Sequence, residues 1–473
     1  MRIALVNPPF DLEKLLGRTN SMGSVMNIIQ PLGIAYLAAV LQNDNHDVKI
    51  YDCQCENIKT DQLIHKLKKD SPEMIGLTAT TPVFSSAVNV AKSVRENFPN
   101  TCILIGGSHV TALPEMTMNF NCFDFGVIGE GEITTSEIAK HLESGDVKKM
   151  KKIHGIAFKN KKKIIKTSPR SFIKNLDDIP FPARHLLPPL EKYRPTPASY
   201  VKLPQGQIMT SRGCPLNCIF CDKTAFGAMY RCRSVKNVFD EIEELINVYG
   251  MKDLKFFDDT FTTMPSRVNA ICEEFKKRHI DIDWCCLTRT DMISKRMLMK
   301  MRNAGCWQVL FGLESMDQHV LTCLKGTTVE QNIRAVKLAH EVGLSVRADF
   351  LFGTPFDSTE NMNKTLRMAI QLNMDFAHFN KFTPYPGSHL YRMLVEKGLS
   401  FDFENFPSQL DHSRFAYVPS YLTEQEFEHL LNEAYKRYYL RPRYIAKQLF
   451  KIRNLESIKR FINGFLAVNE LKD

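Results

Sequence analysis

The sequence predicts an α/β protein in three parts: an N-terminal five-stranded parallel sheet of flavodoxin-like type, a partial (β/α)6 barrel, and a C-terminal helical region. Three observations carry this expectation. A unit of short apolar strand, small-residue turn and amphipathic helix recurs through residues 1–145; the alternation resumes over 203–400; and the last stretch, 401–473, is helix-like with no strand pattern. A length of 473 residues with 44% hydrophobic content suits about three domains with cores of their own.

The first five strands are expected at RIALVN, DVKIYD, MIGLTA, CILIGG and FGVIGE, alternating with helical stretches such as PLGIAYLAAVLQN and SSAVNVAKSVRENF. Ligands of such sheets bind outside the carboxyl ends of the strands. The loops there are NPPF, TATTP with Thr80 and Thr81, GGSHVTALPE with Gly106, Gly107 and His109, and GEGE with Gly129, Glu130 and Gly131. Their small residues let a bulky ligand approach the backbone, and no GxGxxG points to a dinucleotide.

Residues 146–202 differ in character and read as a domain linker. GIAFKNKKKIIKTSPRS suggests a β-hairpin with a lysine-rich turn, and LDDIPFPARHLLPPLEKYRPTP is too proline-rich to sustain a helix. From 203 to 400, six strands are expected around GQIMTS, LKFFDD, DWCCLT, QVLFGLE, SVRADFLFG and AHFNKF, each followed by a helix or long loop. In barrels of this kind functional residues stand at the strand C-termini.

The net charge of +10 gathers in KKMKKIHGIAFKNKKKIIK and in the tail RYYLRPRYIAKQLFKIRNLESIKR. Such runs are compatible with an acidic substrate, a membrane surface or a solvated face; no nucleic-acid motif accompanies them, so no nucleic-acid partner is expected. The N-terminal MRIALVNPPF reads as a buried strand, neither a signal peptide nor a transmembrane segment. Thirteen mostly scattered cysteines suit a reduced, cytoplasmic setting.

Three of those cysteines, Cys214, Cys218 and Cys221, fall within eight residues in SRGCPLNCIFCDKTAFG. A structural zinc site would need a fourth ligand, a histidine or Cys232, and would be closed, whereas a cluster that keeps one metal position free takes three thiolates. Cys53 and Cys55 in DCQC, and the strand pair Cys285 and Cys286, are the other close pairs; the first pair has no further ligands in its context and reads as ordinary thiols.

CxxxCxxC with Phe220 just before the third cysteine, in the loop after the first barrel strand, resembles the radical S-adenosylmethionine (SAM) superfamily. The segments PLGIAYLAAVLQ, IGGSHVTALPE and VIGEGE resemble the cobalamin-binding domain that one subgroup carries at its N-terminus. The resemblance to this cobalamin-dependent radical SAM family spans about residues 1–400. It implies a 4Fe-4S cluster on the three cysteines, SAM on the open iron, cobalamin on the N-terminal domain, and an electron donor such as flavodoxin or ferredoxin. It further implies a 5'-deoxyadenosyl radical that takes a hydrogen atom from an unactivated position.

Carried over residue by residue, the resemblance makes Asp258 and Asp259 of FFDDTF candidates for the SAM amino group, with Asp259 nearer the loop. Arg289 of TRTD would neutralise the SAM carboxylate, Glu314 of FGLES would accept from a ribose hydroxyl, and Gly353 and Pro355 of FLFGTPFDS would back the adenine. Each charged candidate also reads as a buried barrel ion pair. Asp357 and Ser358 stand where the subgroup commonly shows a glutamate-threonine pair, a departure in the pocket, and TPYPGSHLY resembles the segment close to the substrate. The DxHxxG motif whose histidine ligates cobalt is absent, so cobalt without a histidine ligand is expected; His109 and Asp52 would either touch the cofactor or cap helices. No residue is assigned a catalytic role. The resemblance implies methylation of an unactivated carbon on a small-molecule or lipid-like substrate, with an oxidative cyclase or ring-rearranging enzyme as the alternative and a non-catalytic cobalamin sensor as the lesser one.

Overall fold

The computed structural model describes residues 1–10, 27–150, 152–408, 411–450 and 455–469. The N-terminal sheet contains β1 (Arg2–Asn7), β2 (Asp47–Asp52), β3 (Met74–Thr78), β4 (Cys102–Gly106) and β5 (Phe125–Val127), all parallel, in the order β2-β1-β3-β4-β5. Side chains alternate along β1: Ile3 and Leu5 pack with Ile34, Ala38 and Ile138 on one face, and Ala4 and Val6 with Leu63, Ala87 and Val90 on the other. Coverage on both faces is why these strands read as unbroken apolar runs.

The lysine-rich hairpin, β6 (Ile156–Asn160) and β7 (Lys163–Lys166), does not stand apart as a linker element. It pairs antiparallel onto β5 and makes the sheet seven-stranded. A three-residue β5 would otherwise leave a bare edge, and a hairpin rich in lysine both covers it and resists further pairing. The proline-rich stretch that follows is fastened on both sides: the Ala183 N–H donates to the Ala35 carbonyl at 3.0 Å, and the buried Arg184 donates to the Gln207 carbonyl at 2.8 Å and pairs with Glu241 at 2.5 Å.

The second sheet holds β8 (Gln205–Ile208), β11 (Asp253–Phe256), β12 (Asp283–Thr288), β13 (Cys306–Glu314), β14 (Ser345–Phe352) and β15 (Phe376–Lys381), parallel and in that order. Between its first two strands a two-residue antiparallel pair, β9 (Ser211–Arg212) with β10 (Arg231–Cys232), closes the base of the cysteine loop. Val309, Phe311, Val346, Ala348, Phe350 and their neighbours form one core against the surrounding helices.

An open barrel leaves β15 as an unpaired edge, and the aromatic tail seals it. The Tyr439 hydroxyl accepts from the Ala377 N–H at 2.9 Å and donates to the Ala377 carbonyl at 2.8 Å. Tyr435 accepts from the Phe379 N–H, while Tyr438 and Tyr444 donate to the carbonyls of Met374 and Asp375. The tyrosines of helix Glu424–Tyr439 and helix Pro442–Leu449 thus do the work of a missing strand. Tyr439→Phe is expected to strand one donor and one acceptor and to cost about 1–3 kcal/mol. A denaturant midpoint equal to wild type would show that the hydroxyl does not seal the edge. Among the described residues no helix is long and apolar enough to cross a membrane.

Candidate active site

The cysteine loop is held at its root by backbone geometry and one buried carboxylate. Gly213 has φ +84°, and a Cβ there would lie 2.3 Å from the Met229 carbonyl oxygen, so the far side of the loop closes only over glycine. Asp258 is buried and accepts from the Thr210 N–H at 2.6 Å, the Thr210 hydroxyl at 2.5 Å and the Ser211 N–H at 3.0 Å. Further along, the Cys214 N–H donates to the Gly227 carbonyl and the Ile219 N–H to the Leu324 carbonyl, while Phe220 packs beside Leu324, Phe382 and Leu390.

Cys214 and Cys218 are half-buried, and Cys221 opens to solvent at the rim. Desolvation by the crowded loop, followed by the charges of Cys218, Asp259 and Cys214, pushes the Cys221 thiol up to about 12. Cys214, Cys218 and Asp259 thus lie within electrostatic reach of Cys221. Among the described residues no group of three or more His, Cys, Asp or Glu side chains closes round a single metal ion. Three thiols spread along one loop suit the separate corners of an iron-sulfur cluster better than a compact four-ligand zinc site, and a cationic cluster would relieve the cost of ionising them together.

Around the cysteine loop the acidic and basic candidates sort themselves. The carboxylate of Asp258 is spent on the loop root, which leaves the exposed Asp259 as the acid open to a ligand. Crowding and then the neighbouring Asp258 raise the Asp259 carboxyl above its ordinary range. Arg289 forms a fork on Asp291 at 2.9 and 2.7 Å and donates to Cys218 Sγ at 3.3 Å, so one edge of the guanidinium is taken and the other looks at the thiols. Glu314, at φ +61°, is 3.3 Å from Lys325 Nζ, which also donates to the Gly312 carbonyl at 2.6 Å. Lys325, missed in the sequence, sits after a short helix where nothing in its spacing distinguishes it.

The adenine-side candidates, Gly353 and Pro355, follow directly on β14. Gly353 has φ +77°, and a Cβ on it would come within 2.2 Å of Phe427 Cζ, so that face is covered by the C-terminal helix; Pro355 is half-buried beside it. Asp357 folds back on Thr354, accepting from its N–H at 2.9 Å and its hydroxyl at 3.0 Å, and Ser358 caps helix Thr359–Leu372.

At the carboxyl edge of the N-terminal sheet, Thr80, Gly106, Gly107, Gly129 and Gly131 bring their backbones to one rim, and a Cβ on Gly129 would meet nothing within 4 Å. That open ground fits a flat macrocycle lying against main chain. Gly107 has no such space, since a Cβ there would stand 2.5 Å from the Ala79 carbonyl. His109 is fully buried: its Nδ1 lies 3.1 Å from the Thr81 hydroxyl, Phe84 stacks on the ring at 4.0 Å and Phe403 meets it edge-on at 5.4 Å. Burial lowers its pKa to about 3, so it is neutral. Its Nε2 has no hydrogen-bond partner among the described residues.

Glu130 sits in a buried ion-pair network. It pairs with Arg212 and Arg231 at 2.9 Å each and accepts from the Ile173 N–H at 2.8 Å, while Glu132 takes the other end of Arg212 at 2.6 Å. These buried charges join the sheet's last loop to the root of the cysteine loop, two residues before Cys214. Asp52, also buried, accepts from Asn7 Nδ2 and the Tyr193 hydroxyl, both at 2.8 Å. Burial pushes the thiols of Cys53 and Cys55 up to about 12, so neither is poised to ionise.

Comparison with known proteins agrees with this layout. Residues 21–139 match the B12 binding domain family, and residues 208–369 match the Radical SAM superfamily. An uncharacterized methyltransferase of Pyrococcus horikoshii is 35% identical over 99% of this chain and 98% of its own length. The anaerobic magnesium-protoporphyrin IX monomethyl ester cyclase of Rubrivivax gelatinosus is 31% identical over 80% of this chain and 68% of its own. The solved structure of the radical SAM methyltransferase TsrM from Kitasatospora setae, with cobalamin and a [4Fe-4S] cluster, superposes with a TM-score of 0.72 at 17% identity, covering 98% of each chain, a likeness of fold. With both of its domains matched and a relative aligned from end to end, the chain belongs to the cobalamin-dependent radical SAM enzymes, which work with a 4Fe-4S cluster, SAM and cobalamin.

Proposed function

We propose that this enzyme is a C-methyltransferase acting on an unactivated carbon of a small-molecule or lipid-like substrate. The observation that carries the reading is the end-to-end likeness to a relative named as a methyltransferase. The buried, wedged His109 adds to it: an imidazole stacked on Phe84 and tied to Thr81 is not free to swing onto a metal, which leaves cobalt able to exchange a methyl group without a histidine below it.

In this reading Cys214, Cys218 and Cys221 hold the cluster, and the loop's anchorage on Asp258, Leu324 and Gly227 sets where its free position points. Asp259 faces the SAM ammonium, Arg289 the SAM carboxylate, and Glu314, steadied by Lys325, the ribose hydroxyls. The backbone rim at Gly106, Gly129 and Gly131 receives the corrin. When bound, the reduced cluster supplies one-electron cleavage of SAM, and cobalamin carries the methyl group. The electron comes from a donor of the flavodoxin or ferredoxin class.

The likeness to a cyclase favours a second reading, in which the same cofactors act without methyl transfer. SAM labelled in its methyl group separates the two. A methyltransferase is expected to place label in the product and to form S-adenosylhomocysteine and 5'-deoxyadenosine in equal amounts. Substrate-dependent 5'-deoxyadenosine with all label left in methionine would overturn the methyltransferase reading.

A further inference from the structure

The interior of the barrel is charged. Along β11, Leu254 and Phe256 join the core against the helices; along β14, Val346, Ala348 and Phe350 do so; along β15, Ala377 and Phe379. Side chains alternate across a strand, so the intervening Lys255, Arg347, Asp349 and His378 point to the opposite side, into the lumen.

Their charges do not cancel. Arg347 Nη2 lies 3.4 Å from Asp349 Oδ1 and 3.1 Å from His378 Nδ1, and His378 Nδ1 is 3.3 Å from the same Asp349 oxygen. Burial, and then Arg347, lower His378 to about 4, so the ring is neutral and accepts a hydrogen bond from Arg347 at Nδ1. That fixes its own proton on Nε2, which has no acceptor among the described residues. Asp349 is thereby matched by Arg347, and Lys255 remains. Among the described residues Lys255 has no ion pair and no hydrogen-bond acceptor; its Nζ lies over the Phe257 ring, 5.4 Å from the centroid, within the influence of Cys285, Arg347 and Asp349. Of the other acids on this side, Asp253 is already bound to Gln205 and to the N–H groups of Val201 and Lys202, and Glu314 is paired with Lys325.

We propose that the lumen receives an oxyanion borne by the substrate, a carboxylate or phosphate group, with Lys255 and Arg347 as its cationic partners and His378 as a neutral donor. A partly enclosed ammonium without an acceptor is costly, and an anion of the substrate supplies what the protein withholds. The placement suits the chemistry. Lys255 precedes Asp259 by four residues, roughly 13 Å of extended chain. A substrate gripped by its charged end in the lumen thus carries its far carbons up past Phe257, 40% exposed at the mouth, towards the cysteine loop. The proposal rests on the active-site reading above and deepens it by naming the substrate class.

Calorimetric titration of the reconstituted holoenzyme with methyl phosphate and with butyrate, and with neutral methyl butyrate as control, tests it. The two anions distinguish the sources, and the visible absorbance of the cluster, read in every sample, reports separately whether the cofactor reading stands. At least one anion is expected to bind, the neutral ester not, and Lys255→Met and Arg347→Gln each to weaken the anion about tenfold. Anion binding that is equal in wild type and Lys255→Met, equal binding of the ester, or no binding of either anion overturns the proposal. Retained cluster absorbance beside any of these results leaves the cofactor assignment untouched.

Discussion

Alanine at Cys214, Cys218 or Cys221 is expected to yield a folded protein that holds no intact 4Fe-4S cluster and forms no 5'-deoxyadenosine from SAM under reducing, oxygen-free conditions. Each thiolate would occupy one corner, and between Gly213 and Arg231 the loop holds no further cysteine or histidine to replace it. Arg289 donates to Cys218 and the Asp258 network pins the residues before Cys214, so the loop keeps its path when a sulfur is lost. Cys53→Ala and Cys55→Ala are the matched controls, since both thiols are held protonated by burial and stand in another domain. Iron and sulfide analysis beside product quantitation reads the outcome. A cysteine-loop variant that kept full iron and SAM cleavage would remove that cysteine from the ligand set.

The second large effect lies at the seam between the two sheets. Glu130→Gln removes the carboxylate shared by two arginines, leaving Arg231 with carbonyl partners alone and Arg212 with Glu132 alone. Breaking a buried ion pair from one side strands charge in a low-dielectric setting, and the expected loss is about 3–5 kcal/mol. The seam reaches Arg212, two residues before Cys214, so cluster occupancy is expected to fall together with stability. Thermal unfolding followed at both the protein and the cluster gives the comparison. Unchanged unfolding with weakened cobalamin binding would instead make Glu130 a cofactor contact, the role that its place in GEGE suggests from sequence.

Much of this was legible beforehand, and the exceptions share a cause. The strands β1 to β5 and the six barrel strands are short apolar runs between turn residues, and each formed where its pattern stood. The hairpin of β6 and β7 was visible as a hairpin, but its partner was not, because pairing onto β5 depends on an edge that exists only once the sheet has formed. Glu130 shows the same limit: nothing in its small-residue loop announces that two arginines, 82 and 101 residues away in sequence, meet it. Asp258 and Asp259 are instructive in the other direction. Continuing the alternation of Leu254 and Phe256 puts Asp258 on the packed side and Asp259 on the side of Lys255 and Phe257, so the strand's own period separates the structural acid from the open one. The aromatic, basic tail reads equally as a feature for an acidic or lipid-like substrate and as a helix packing on the barrel; its tyrosines do pack there, and that they serve an unpaired strand is a need no local pattern announces.

The assignment of three thiols to a cluster with one iron left for SAM, beside Asp259 and Arg289, is open to direct test. Its most direct test is electron-nuclear double resonance on the reduced, reconstituted enzyme mixed with SAM carrying 15N in the amino group and 17O in the carboxylate. Hyperfine coupling of both labels to the cluster is expected, and its loss in Cys221→Ala. A reduced cluster whose spectrum is indifferent to labelled SAM, or a cysteine loop that holds zinc in place of iron, would contradict it.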